Sequence, residues 1–224
     1  MSECKWDTSK HDGKPCPIHN GAEDFDVVDL DEIIELETRN MLVGRNAKKF
    51  ANNLTGLKNE KLAKKTFTTT FKEFKNVFDK HLKSVEVTTP RTLRLTNPIL
   101  YGDIKDSTGG FCDVYTNGDL KIFYMKGGNA NWFGDDNQNT IGTINHELGH
   151  AVFNTLALQH PEIREKYKKL YETKKPDIAK NLSQYGSTTY EEFIAECFAF
   201  HYANPNELAD EVYKQLKEDY ERYL

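Results

Sequence analysis

The sequence predicts an α+β fold, and three observations carry that expectation. A long amphipathic helical stripe comes first, strand-like runs with a hairpin signal follow, and the chain after residue 139 reads almost wholly helical. Helices, then antiparallel strands, then helices, without alternation, argue against a parallel α/β sheet. The length of 224 residues suits one domain with a small appendage.

The elements follow in order. Residues 1–25, with Trp6, His11, Gly13, Pro15, Cys16, Pro17, His19 and Gly21, show no period and read as an irregular tail. Residues 26–224 make the domain: a helical portion over 26–84, a small antiparallel or mixed sheet over 85–127, and helices over 138–224. A helix is expected around 31–42. Phe67, Phe71, Phe74, Phe78, Leu82 and Val85 recur at three- and four-residue intervals, predicting one packed helix over 57–83. Residues 85–89 and 92–96 alternate and are β-branched, so both read as strands, with Pro90 and Pro98 as punctuation. Residues 111–116 and 119–125 flank Asn117-Gly118, a hairpin signal in which both turn residues take φ > 0. Residues 127–139 read as a polar loop holding Trp132 and Phe133. Further helices are expected over 140–157, 162–174, 189–203 and 206–223.

Composition excludes several classes. An aromatic share of 12% is too high for a disordered chain, and no apolar run reaches the length of about 20 residues that spans a bilayer. Four cysteines, with no CxxC pair, are too few for a disulfide scaffold. No apolar leader follows Met1, so a cytoplasmic location is the default, with virion association or signal-independent export as alternatives. The net charge of −5 hides a split. Residues 23–37 hold eight acids and no base, whereas residues 45–83 hold eleven bases and three acids. Two solvated helix faces account for this; a basic surface for nucleic acid or another anionic partner is the alternative.

The chemistry concentrates at His146-Glu147-Leu148-Gly149-His150, an H-E-x-x-H motif. On a helix, positions i and i+4 share a face, so both imidazoles can converge on one tetrahedral cation. Glu147 can then reach a water at that cation rather than the cation itself. Ile141, Ile144, Leu148, Ala151 and Val152 form an apolar stripe that anchors the other face. Gly149 leaves bare backbone beside the site for a close approach.

A third ligand must come from elsewhere. In residues 190–200, Glu192 and Glu196 share one face of an otherwise apolar helix, and an unpaired buried carboxylate is costly. A cation or a histidine partner resolves that conflict; a cleft edge or an Arg would also do so. Glu191 lies about 100° round the helix and is placed toward solvent.

The stretch Tyr185-Gly186-Ser187-Thr188-Thr189-Tyr190-Glu191-Glu192-Phe193-Ile194-Ala195-Glu196-Cys197-Phe198 resembles, without a gap, the Y-G-x-T-x-x-x-E-F-F-A-E-A-F stretch of the anthrax lethal factor catalytic-domain family. These are zinc metallopeptidases of the gluzincin type, with relatives among bacterial toxins and phage or mobile-element proteins. The likeness covers residues 140–203; Ile194 replaces an aromatic and Cys197 a small residue. It implies a zincin-like fold and one catalytic Zn²⁺ held by His146, His150 and Glu192. It further implies Glu147 as general base, Tyr185 as the electrophile at the oxyanion, and Glu196 as a carboxylate orienting a ligand from behind. The implied activity is hydrolysis of a protein or peptide substrate. A catalytically silent relative, using the basic 45–83 surface as a binding or inhibitory module, is the rival; Glu147 argues against it.

Enzymes of this design commonly hold substrate as an added strand, and residues 119–125 are the candidate sheet edge, with an ordinary core hairpin as the alternative. Cys4, His11, Cys16 and His19 have spacings that fit no common zinc finger; a second metal or a latency contact are the alternatives to a merely packed tail. His201 is expected near the metal ligands but not among them, His81 on a helix surface and His160 in a turn. Cys112 and Cys197 read as small apolar groups. Trp132 and Phe133 either anchor their loop or line the cleft.

Overall fold

The structure, a computed structural model, describes residues 30–127 and 133–224, and side chains from residue 39 onward. The proposed tail ligands Cys4, His11, Cys16 and His19, and Trp132, lie outside the described residues. The chain divides into two compact units, residues 1–41 and 42–224. Of the first, only the opening turns of one helix are described. Everything below concerns the second, which is mixed α+β, mostly helical, with a small three-stranded mixed sheet.

The first helix, α1 (Leu30–Asn52), runs ten residues past its expected end. Val43, Ala47, Phe50 and Ala51 keep the three- and four-residue spacing there, and all four are buried. The expected single helix over 57–83 is two, α2 (Glu60–Glu73) and α3 (Lys75–His81), joined at Phe74 with φ −111° and ψ 38°. Phe74 is completely buried against Phe198 and Tyr220, at ring separations of 5.2 and 4.9 Å. Tyr220 Oη also takes the Asn76 N–H. Packing at this point outweighs continuation of the helix, which periodicity alone cannot reveal.

Strand β1 (Leu82–Thr88) follows as expected, beginning three residues early. The second expected strand, over 92–96, is instead a helix, α4 (Pro90–Thr96). Thr89 caps it, its hydroxyl accepting the Thr92 N–H at 3.1 Å, and Pro90 occupies the first turn. That Thr-Pro start is a helix signal, and it outweighs the β-branched alternation. A short turn of helix, α5 (Pro98–Tyr101), repeats the device with Asn97 as cap.

The hairpin forms as β2 (Gly110–Val114) and β3 (Leu120–Met125), paired antiparallel. Its turn differs in type. Gly118 alone has positive φ, at 85°, and the bonds Gly118 N–H to Tyr115 O and Tyr115 N–H to Asp119 O make a three-residue loop closed by a glycine bulge. The strand order is β1-β3-β2, with β1 parallel to β3. Strand β3 is therefore central, which overturns the expectation that residues 119–125 form an edge. A strand flanked on both sides by strands has no free N–H or C=O row for a partner. The edge on the hairpin side is β2.

Four helices complete the unit: α6 (Asp136–Gln159), α7 (Pro161–Asn181), α8 (Tyr190–Ala203) and α9 (Glu207–Tyr223). Helix α7 outruns its expected end through Pro176, anchored by fully buried Ile178. Helix α8 is buried along almost its whole length and lies against α6. A β-carbon placed on Gly149 of α6 would stand 2.9 Å from Phe198 Cβ and 3.2 Å from Ala195 Cα. Gly149 thus serves the approach of α8, and the bare backbone expected to face the site faces that helix instead. Two further bonds fix α6: Tyr124 Oη donates to Ile144 O at 3.1 Å, and Thr70 Oγ1 to Asn145 Oδ1 at 2.7 Å. No described helix is long and apolar enough to cross a membrane.

Gly149→Ala should destabilise the protein by about 1–3 kcal/mol despite alanine's higher helix propensity, because the added methyl meets backbone. Urea unfolding measures this; a neutral or stabilised variant would show that the two helices are not in that contact.

Candidate metal centre

Helix α6 starts at a capping box. Asp135 Oδ1 accepts the N–H groups of Asn137 and Gln138, and Gln138 Oε1 accepts that of Asp135. Its apolar face buries Ile144, Leu148, Ala151 and Val152, which turns His146 and His150 toward α8. Helix α8 begins at Thr189, whose hydroxyl accepts the Glu192 N–H at 3.2 Å. Glu192 therefore sits in the first turn, where the helix dipole favours a carboxylate.

The two helices bring three ligand atoms together. His146 Nε2 and His150 Nε2 are 3.1 Å apart, and Glu192 Oε2 lies 3.1 and 3.2 Å from them. Neighbouring donors around a tetrahedral cation with bonds of about 2.0–2.1 Å stand about 3.3 Å apart, close to this triangle. The donor set fits as well: two imidazoles and one carboxylate suit a divalent cation of intermediate softness. The polar atoms give a further test. Glu192 Oε2, His146 Nδ1 and both Glu196 oxygens are buried without a hydrogen bond. The imidazole–carboxylate contacts are short, but no N–H is directed along them. Such a group is expensive unless a positive charge sits among the atoms. His146, His150 and Glu192 could hold a metal ion.

The surrounding groups divide the work. Glu192 and Glu196, one turn apart, grip the two nitrogens of one ring: Glu192 faces Nε2, and Glu196 Oε1 lies 3.4 Å from Nδ1. Glu196 is completely buried. Burial opposes a charged His146, but the Glu192 and Glu196 carboxylates outweigh it and raise its pKa well above the usual imidazole value. Burial likewise acts to raise the Glu192 pKa, yet the two imidazoles hold it far below the ordinary carboxylate range. Glu147 goes the other way: burial raises its pKa, and the facing histidines only partly offset this. Tyr185 lies in the turn between α7 and α8 and donates its hydroxyl to Glu192 Oε1 at 2.8 Å. That turn is pinned by Tyr171 Oη donating to Ser187 O at 2.6 Å.

His146, Glu147, Tyr185 and Glu192 line one cleft of roughly 440 Å³. Its other wall is the loop of residues 103–109 with the start of β2, joined by Phe111, Phe133 and Thr143. That wall was missed from sequence, though a signal existed. A glycine at the start of a strand marks a close backbone approach, and a β-carbon on Gly110 would fall within 2.6 Å of Glu147 Cγ. Phe133 both lines the cleft and anchors its loop, covering Gly142 and meeting the Phe200 ring at 5.1 Å.

Other expected neighbours lie elsewhere. His201 stacks on Tyr213 at 3.7 Å and pairs with Asp210 at 2.6 Å, on the α9 side of α8. Glu191 is outside the ligand group, half-buried beside Tyr190. His81 contacts Gln159, and His160 joins α6 to α7. Cys197 is buried and Cys112 half-buried. Compared with known proteins, the chain matches no family model and no curated protein.

Titration with a panel of divalent cations should raise the melting temperature at one equivalent. At a hundredfold excess over Kd the gain is about 2.7 kcal/mol. His146→Ala and Glu192→Ala should abolish the rise; an undiminished rise in both would place the cation elsewhere.

Proposed function

We propose that the protein is a zinc-dependent endopeptidase of the gluzincin type, in the lethal-factor-like group that residues 185–198 resemble. One observation carries this reading. A two-histidine, one-glutamate group meets a cleft through His146 and Glu192, with Glu147 beside them and the start of the edge strand β2 in the facing wall. Zinc at His146, His150 and Glu192 would supply a Lewis acid with a coordination position left for water.

The chain's own residues do the rest. Glu147, its basicity raised by burial, takes the proton of the attacking water and returns it to the leaving amine. The Tyr185 hydroxyl, which lines the same cleft, exchanges its bond to Glu192 Oε1 for one to the carbonyl oxygen as negative charge develops there. Glu196 holds the His146 ring from behind through Nδ1, fixing its orientation. The substrate chain lies along β2, whose outer N–H and C=O groups are unpaired by any described strand. A silent binding module has no use for a buried carboxylate kept beside the ligand group.

Glu147→Gln should keep the metal and lose about 10²–10⁴ in turnover. Tyr185→Phe should lower kcat by about 10² with little change in KM. Fluorogenic peptide libraries and elemental analysis measure both; full turnover by Glu147→Gln would sink the mechanism. Gly110→Ala should cut kcat while leaving the metal bound, since the methyl displaces the Glu147 carboxylate; unchanged kinetics would remove Gly110 from the site.

A further inference from the structure

Helices α4 and α5 present an unusual surface. Leu95, Ile99 and Leu100 are 73%, 94% and 62% exposed, within six residues of chain. The segment is not loose. Its opposite face buries Leu93 and Tyr101 against Phe123 and Met125, a small core separate from the main one. Arg94 then ties it to the loop that walls the cleft, donating to Ile104 O and pairing with Asp106 Oδ1 at 2.6 Å. In the stretch that follows, residues 103–105 and 107–110 line the cleft. The helical segment that carries the three apolar side chains is thus tied, through Arg94, to the loop that walls the cleft. Exposing them costs solubility, and contiguous apolar exposure of this kind marks an interaction surface.

We propose that Leu95, Ile99 and Leu100 form a docking surface for a polypeptide substrate, gripping apolar side chains of a loosely folded chain beyond the segment that is cleaved. The inference rests on the peptidase reading, because the loop to which Arg94 binds this tip is a wall of the cleft in which a substrate would lie. Continuity of the tip with the cleft wall, through Arg94 and residues 103–109, favours the substrate over other occupants. The surface binds without taking part in the chemistry. It therefore discriminates between long and short substrates rather than among residues at the scissile bond.

The test combines Leu95→Ser, Ile99→Ser and Leu100→Ser in one variant, with Ile99→Ser alone as a control for folding. Binding of fluorescein-labelled casein is measured on the Glu147→Gln background, and kcat/KM for casein and for a short quenched peptide on the active background. Casein affinity and casein kcat/KM should each fall at least tenfold, a loss that even partial burial of three apolar side chains would exceed, with peptide hydrolysis unchanged. Unchanged casein affinity, or equal losses on casein and peptide, would overturn the proposal. So would a dimer that the triple variant converts to monomer, or phosphatidylcholine vesicle binding that it abolishes, which would assign the tip to a second copy or to lipid. Wild-type protein that cleaves neither substrate, yet binds casein through the tip, would sink the peptidase reading and leave the surface standing.

Discussion

The contact between α6 and α8 at Gly149 is the constraint on which the site rests. With no side chain at that position, the backbone of α8 lies close enough for Glu192 and Glu196 to reach opposite nitrogens of the same imidazole. Each helix supplies two groups one turn apart, and the two pairs are brought into one cluster. A wider separation would leave two histidines on one surface and two buried carboxylates on another. The apolar character of α8 enforces the contact, since nearly every residue there that is not a ligand must be covered.

The same closeness creates an electrostatic demand that a proton on His146 or a cation among the atoms would meet. Glu196 is enclosed on all sides and has no hydrogen bond, and Glu192 Oε2 is in the same position. Protein interiors tolerate such groups when charge or hydrogen bonds offset desolvation, so an ion held by this group would stabilise the fold as well. Glu147 escapes this logic. Burial shifts it toward the proton, and a carboxylate in that state suits the movement of protons rather than the holding of a metal.

What the sequence made legible was local and periodic. The H-E-x-x-H turn, the paired acids of 190–200 and the Asn-Gly hairpin each depend on residues within a few positions, and each lies on the expected element. What it hid was tertiary. The break at Phe74 arises from rings contributed by α8 and α9, more than a hundred residues away. The parallel pairing of β1 with β3, which makes β3 central, depends on a crossover that no local pattern encodes. Residues 92–96 are an intermediate case. Thr89 and Pro90 form a helix start that outranks the β-branched alternation of the residues after it. Gly110 is similar: its meaning needs Glu147, thirty-seven positions on.

The two edges of the sheet are not alike. Along β1 the register with β3 slips between Leu82 and Ser84, and Lys83 and Glu86 stand exposed. A bulge and charges of this kind discourage an unrelated chain from adding on. The pairing of β2 with β3 is unbroken from Gly110 to Val114. The two margins, on either side of β3, thus differ in regularity, and the β1 margin is the less suited to an added extended chain. The regular margin is also the one whose first residue, Gly110, lies against the carboxylate of Glu147.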